Sequence, residues 1–132
     1  MAKLIHTMIR VRDLEKSLAF YQAAFDLAPS YRLDFESFSL VYLRNSESDT
    51  EIELTCNKGK EEPYTHGDGY GHVAFVVDNA VQERERFVKL GLNPNDLKEF
   101  FAKDGSLIAR YFFVQDPDNY KIEVLERHGH YQ

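Results

Sequence analysis

Gly69-Tyr-Gly-His72-Val-Ala-Phe-Val-Val77 decides how the chain is read. A short apolar run rich in β-branched residues and bounded by glycine is a buried strand, and one histidine stands at its mouth. The same design appears near the N-terminus as Lys3-Leu-Ile-His6-Thr-Met-Ile-Arg-Val11. An aspartate follows each run, Asp13 and Asp78, placed to start a helix. Later in each half comes an apolar run that carries a glutamate: Glu51-Ile-Glu53-Leu-Thr55 and Tyr120-Lys-Ile-Glu123-Val-Leu125. The separation from His6 to Glu53 is close to that from His72 to Glu123. The chain therefore reads as one module used twice, with the two His/Glu pairs facing each other across the join.

Working outward, residues 4–11 alternate. Leu4, His6, Met8 and Arg10 share one face, and Ile5, Thr7, Ile9 and Val11 share the other. Asp13 caps an expected helix over about 14–27, with Leu14, Leu18, Tyr21 and Phe25 as its apolar stripe and Pro29 as its stop. Strands are expected at about 30–35, 38–44 and 50–56, the last two joined by the turn Asn45-Ser-Glu-Ser-Asp49. Residues 57–70 are rich in glycine and charge and form the boundary between halves. The order then repeats: a strand at 71–77, a helix at 79–90 ended by Gly91, and strands at 94–100, 107–115 and 120–126. Asn119 is placed for the left-handed conformation in the turn Asp116-Pro-Asp-Asn119. The tail from His128 is expected to fray.

The fold class is thus α+β: a single domain spanning 1–132, built from two paired βαβββ modules. Module 1 covers about 3–57 and module 2 about 70–126. Composition sets the limits. At 132 residues and 43% hydrophobic the chain can bury a real core. No window has the roughly 20 apolar residues that span a bilayer, and no secretory leader pattern opens the sequence. The single cysteine, Cys56, forms no internal disulfide and fits a cytoplasmic setting. A net charge of −6 argues against nucleic-acid binding, which needs a basic face.

His6, Glu53, His72 and Glu123 carry the candidate chemistry. A lone histidine or glutamate on a strand is ordinarily structural or solvated. Matched slots in two half-chains are harder to explain that way. Carboxylates among apolar neighbours are costly unless a cation accompanies them. Two imidazoles and two carboxylates suit a borderline or hard divalent ion and leave two octahedral positions for water or substrate. Ni²⁺, Co²⁺, Zn²⁺, Mn²⁺ and Fe²⁺ all remain open. Arg10 lies on the His6 face, where a guanidinium would clamp a carboxylate.

The motifs His6-Thr-Met-Ile-Arg10-Val-Arg-Asp13, Ser17-Leu-Ala-Phe-Tyr21, Glu53-Leu-Thr-Cys-Asn57-Lys-Gly59, Tyr70-Gly-His72 and Asp116-Pro-Asp-Asn-Tyr120-Lys-Ile-Glu123 resemble glyoxalase I, within the vicinal oxygen chelate superfamily. The resemblance implies a curved mixed sheet of paired modules around a metal site. It implies His6, Glu53, His72 and Glu123 as ligands of one divalent ion. Its likeness to the compact bacterial enzymes points to nickel or cobalt ahead of zinc. It further implies glutathione as co-substrate, with Arg10 and Asn57 contacting it, and a homodimer with active sites between chains. The reaction implied is isomerisation of the methylglyoxal–glutathione hemithioacetal to S-lactoylglutathione, with Glu123 as base and Glu53 as matching base or fixed ligand. Lys58 stands where the family usually has tryptophan, Asp68 where some members have a basic contact, and 26–38 matches poorly.

Rival readings keep the fold and change the chemistry. They are an acyl-CoA epimerase, a glyoxalase using another thiol, an extradiol-type dioxygenase, a metal-dependent thiol transferase acting on an epoxide antibiotic, and a non-catalytic small-molecule binding or resistance protein.

Overall fold

The computed structural model describes residues 1–132 and resolves them into two compact units, Met1–Thr65 and His66–Gln132. The first unit runs β1 (His6–Arg10), α1 (Leu14–Phe25), β2 (Ala28–Asp34), β3 (Phe38–Arg44) and β4 (Glu51–Asn57). Its strands form one sheet in the order β1-β4-β3-β2. The β1–β4 pair is parallel and the others are antiparallel. A parallel pair needs a long crossover, and α1 with β2 and β3 supplies it.

Alternation divides this sheet cleanly. Ile9, Val11, Val41, Leu43, Ile52 and Leu54 are buried and form the core with Phe20, Tyr21, Ala24 and Phe25 of α1. His6, Tyr42, Glu51, Glu53 and Thr55 take the opposite phase of their strands. The helix stripe is therefore Ser17, Phe20, Tyr21, Ala24 and Phe25, while the expected Leu14 and Leu18 lie on its flank, only half-buried. Asp13 is the N-cap as expected, accepting from the Lys16 amide at 3.2 Å. The stop is not Pro29, which lies inside β2. Asp26 ends the helix in the left-handed conformation (φ 54°), its amide donating back to Gln22.

The second unit repeats the plan with β5 (Val73–Val77), α2 (Ala80–Lys89), β6 (Lys98–Phe101), β7 (Leu107–Gln115) and β8 (Lys121–Glu126). Its sheet order, β5-β8-β7-β6, corresponds strand for strand to that of the first. Phe87 of α2 meets Phe112 edge-to-face at 5.5 Å, and both are fully buried. Val114, Ile122 and Val124 complete the core.

Three expectations change here. The α2 cap is Asn79, whose side chain accepts from the Gln82 amide, whereas Asp78 pairs with Arg127 at 3.1 Å. The edge strand begins at Lys98 rather than residue 94, because at Asn95 a side-chain oxygen, not a backbone carbonyl, takes the Phe113 amide. Asn95 still extends the ladder, its amide donating to the Phe113 carbonyl and its Oδ1 accepting from the Phe113 amide. The tail is held by a bridge between His128 and Tyr131, with the His128 ring on the Leu107 carbonyl at 2.9 Å. In the Asp116 turn, Asn119 is left-handed at φ 67° as expected, and Asp116 Oδ1 accepts from the Asp118 and Tyr120 amides. No helix is long and apolar enough to cross a membrane.

Candidate metal centre

Strand register places each histidine against its glutamate. In the parallel β1–β4 ladder Met8 is opposite Glu53, so His6 lies two residues upstream of that partner. In β5–β8 Ala74 is opposite Glu123, and His72 lies two residues upstream of it in the same way. The common offset carries each imidazole to its carboxylate. His6 Nε2 is 3.6 Å from Glu53 Oε1, and His72 Nε2 is 2.9 Å from Glu123 Oε2. Both glutamate side chains are largely buried, at 11% and 17% exposed, while the imidazoles are more open.

The third strand of each sheet closes the site with an aromatic ring. Tyr42 is opposite Glu53 and meets the His6 ring edge-on at 5.4 Å. Phe113 is opposite Glu123 and meets His72 edge-on at 5.2 Å. Here the repeat is not symmetric. The Tyr42 hydroxyl hydrogen-bonds the Glu53 carboxylate; that bond, burial and the neighbouring Glu53 and Glu51 charges push the phenol up to about 12. It therefore stays protonated near neutral pH and acts as donor. Thr55 Oγ1 donates to Glu53 Oε2 at 3.0 Å. Glu51, one strand step before Glu53, accepts a hydrogen bond from Ser30.

The other expected residues fall at one end of the first sheet. Arg10 pairs with Thr55 in the β1–β4 register, and Asn57 closes β4 on the phase of Glu53 and Thr55. Both are exposed. Cys56 lies on the opposite phase, its Sγ near the Arg12 carbonyl at 3.6 Å. Lys58 reaches back to the Phe35 carbonyl and so ties down the β2–β3 turn. In the second unit His72 opens on a depression of about 680 Å³ that Tyr70, Phe113, Gln115, Asn119 and Lys121 help to line.

The donor set fits a divalent ion. Ligands held about 2.0–2.2 Å from one ion sit roughly 3 Å apart. The His72–Glu123 pair has that bite at 2.9 Å, and the His6–Glu53 pair is wider at 3.6 Å. Neither unit gathers three His, Cys, Asp or Glu side chains by itself. Each supplies half of the expected ligand set. Sequence reasoning passed over Tyr42, Phe113 and Ser30. The first two left little signal in the sequence: their distances from His6 and His72 differ, and only the strand register makes them equivalent.

The family model of the Glyoxalase/Bleomycin resistance protein/Dioxygenase superfamily matches residues 3–124. The chain belongs to this superfamily. Within it, lactoylglutathione lyase of Salmonella typhimurium is 39% identical over 131 residues, covering 94% of this chain and 92% of that enzyme. The lactoylglutathione lyase of Haemophilus influenzae is 37% identical over 133 residues, with the same coverage of each chain. Among solved members, the trypanothione-dependent glyoxalase I of Leishmania major has a TM-score of 0.77 at 31% identity, over 96% of this chain and 87% of its own. Glyoxalase I of Zea mays has a TM-score of 0.81 at 27% identity, over 96% of this chain and 45% of its own. The paired βαβββ units are thus the superfamily's fold.

Proposed function

We propose that this protein is a lactoylglutathione lyase, converting the hemithioacetal of methylglyoxal and glutathione to S-lactoylglutathione. The observation that carries this reading is the duplicated His/Glu pair, set on one strand register in two units. Curated relatives that carry the lyase name cover nearly the whole chain. His6, Glu53, His72 and Glu123 would hold the divalent ion, with nickel or cobalt favoured over zinc by the kinship with compact bacterial enzymes. When bound, the ion would supply Lewis-acid chemistry to the two neighbouring oxygens of the hemithioacetal, the C1 hydroxyl and the C2 carbonyl, which acidifies the hydrogen on C1.

The remaining work belongs to the chain. Glu123 takes the proton from C1 and returns it to C2, while the hydroxyl proton on the C1 oxygen passes to the C2 oxygen, so that one carboxylate serves as base and then as acid. Its neighbours on β7 and β8, Phe113 and Leu125, put no hydroxyl on the carboxylate, which lies against the His72 ring. Arg10 and Asn57, at the same end of the first sheet, would hold the carboxylate and amide groups of glutathione. The depression beside His72 has the volume of an ordinary small-molecule site. Following the resemblance to glyoxalase I, we place the complete centre between the chains of a cytoplasmic homodimer.

The test is hemithioacetal isomerisation by metal-stripped protein reloaded separately with Ni²⁺, Co²⁺ or Zn²⁺. Glutathione should be compared with other thiols and with acyl-CoA substrates. Ion-dependent formation of S-lactoylglutathione is expected. Turnover only of another thiol adduct or of an acyl-CoA ester would replace the substrate assignment. A strict requirement for Fe²⁺ and O₂ would replace the reaction.

A further inference from the structure

The repeat is close enough to be compared slot by slot, and one difference concerns the two carboxylates. Glu53 is flanked by two hydroxyls. Tyr42 reaches it from the neighbouring strand, and Thr55 donates to its Oε2 at 3.0 Å from the next residue on the same face. Glu123 occupies the equivalent slot, and its equivalent neighbours are Phe113 and Leu125, which have nothing to donate. Backbone register, histidine offset and ring geometry are otherwise matched. The asymmetry is therefore one of hydrogen bonding at the carboxylates.

We propose that Tyr42, with Thr55, is a positioning residue that fixes Glu53 as a permanent carboxylate ligand and so leaves proton transfer to Glu123. This rests on the metal-dependent lyase reading above. Two hydroxyl donors hold one carboxylate in a single rotamer and maintain its orientation for an ion. They also oppose any swing toward substrate, because leaving would break two charge-assisted hydrogen bonds at once. Glu123 lies against the His72 ring, Nε2 at 2.9 Å from its Oε2, and has no hydroxyl beside it. Two carboxylates of the same residue type are thereby assigned different work by their neighbours' side chains. Removing the Tyr42 hydroxyl should loosen the resting centre, and adding one at Phe113 should restrain the base.

Reciprocal exchange tests this with isosteric variants. Tyr42→Phe should weaken Co²⁺ binding by about 10- to 100-fold, the usual effect of losing a hydrogen bond to a metal ligand. Affinity is read by competition with a chromophoric chelator, without substrate. The visible absorption of the Co²⁺-loaded variant should also shift, which a merely structural role would not produce. Turnover is then read at saturating metal, so that weaker binding does not enter it. Phe113→Tyr should show the converse: kcat lower by about 10- to 100-fold with KM nearly unchanged, the cost of one hydrogen bond to a charged group. Unchanged Co²⁺ affinity and spectrum in Tyr42→Phe would overturn the proposal, and so would an unaltered kcat in Phe113→Tyr. Circular dichroism and melting confirm that each variant folds. A wild-type chain that binds Co²⁺ yet leaves the hemithioacetal untouched would sink the proposed reaction, while the affinity comparison would still decide the role of Tyr42.

Discussion

At the scale of single residues, two glutamates that look alike in sequence differ in their surroundings. Glu123 is the residue on which turnover should depend most directly. Glu123→Gln keeps the side-chain volume and removes the proton acceptor. The expected result is a fall in turnover of about 10²- to 10⁴-fold, the span associated with a general base. Melting temperature and far-ultraviolet circular dichroism should remain close to those of the wild type. Near-normal turnover in a steady-state assay would remove Glu123 from the proton path. The four candidate ligands were legible because they recur in matched slots among apolar strand residues. Tyr42 was less visible, since a tyrosine in an alternating strand resembles ordinary sheet composition. Only its ladder position, opposite Glu53, shows what its hydroxyl touches.

At the scale of elements, strand alternation and helix capping read well, and boundaries read less well. The span 107–115 and the span 38–44 are where alternation places them. The shifted start of β6 comes from the Asn95 side chain, which stands in for a backbone acceptor. Hydrophobic spacing carries no record of such a substitution. The α2 cap is a similar case. Asp78 and Asn79 are adjacent and both are good capping residues, so composition alone does not choose. The structure gives the cap to Asn79 and leaves Asp78 in an exposed pair with Arg127. Asn79→Ala should therefore lower stability by about 1 kcal/mol, and Asp78→Ala by no more than about 0.5 kcal/mol. Urea denaturation of the two variants in parallel would show it, and the reverse order would return the cap to Asp78.

At the scale of the whole molecule, duplication is the organising fact. Each unit has one four-stranded sheet, one helix and one His/Glu pair, and neither gathers more than two candidate ligands. Leu4 and Ile5 in the first unit, and Phe100 and Phe101 in the second, are exposed apolar side chains. A centre shared between chains makes a prediction that a centre within one chain does not. Take one variant lacking His6 and Glu53 through alanine, and another lacking His72 and Glu123 through alanine. Each homodimer then has only half of its ligands at every site and should be inactive. In a mixed dimer with twofold exchange, one site loses all four ligands and the other recovers all four. Unfolding and refolding the two inactive variants together should restore about a quarter of wild-type activity, since half the dimers are mixed and each has one intact site of two. Refolding either variant alone should restore none. If both ligand pairs served the same centre within a chain, every site in the mixture would lack two ligands, and the mixture would stay as inactive as its parts.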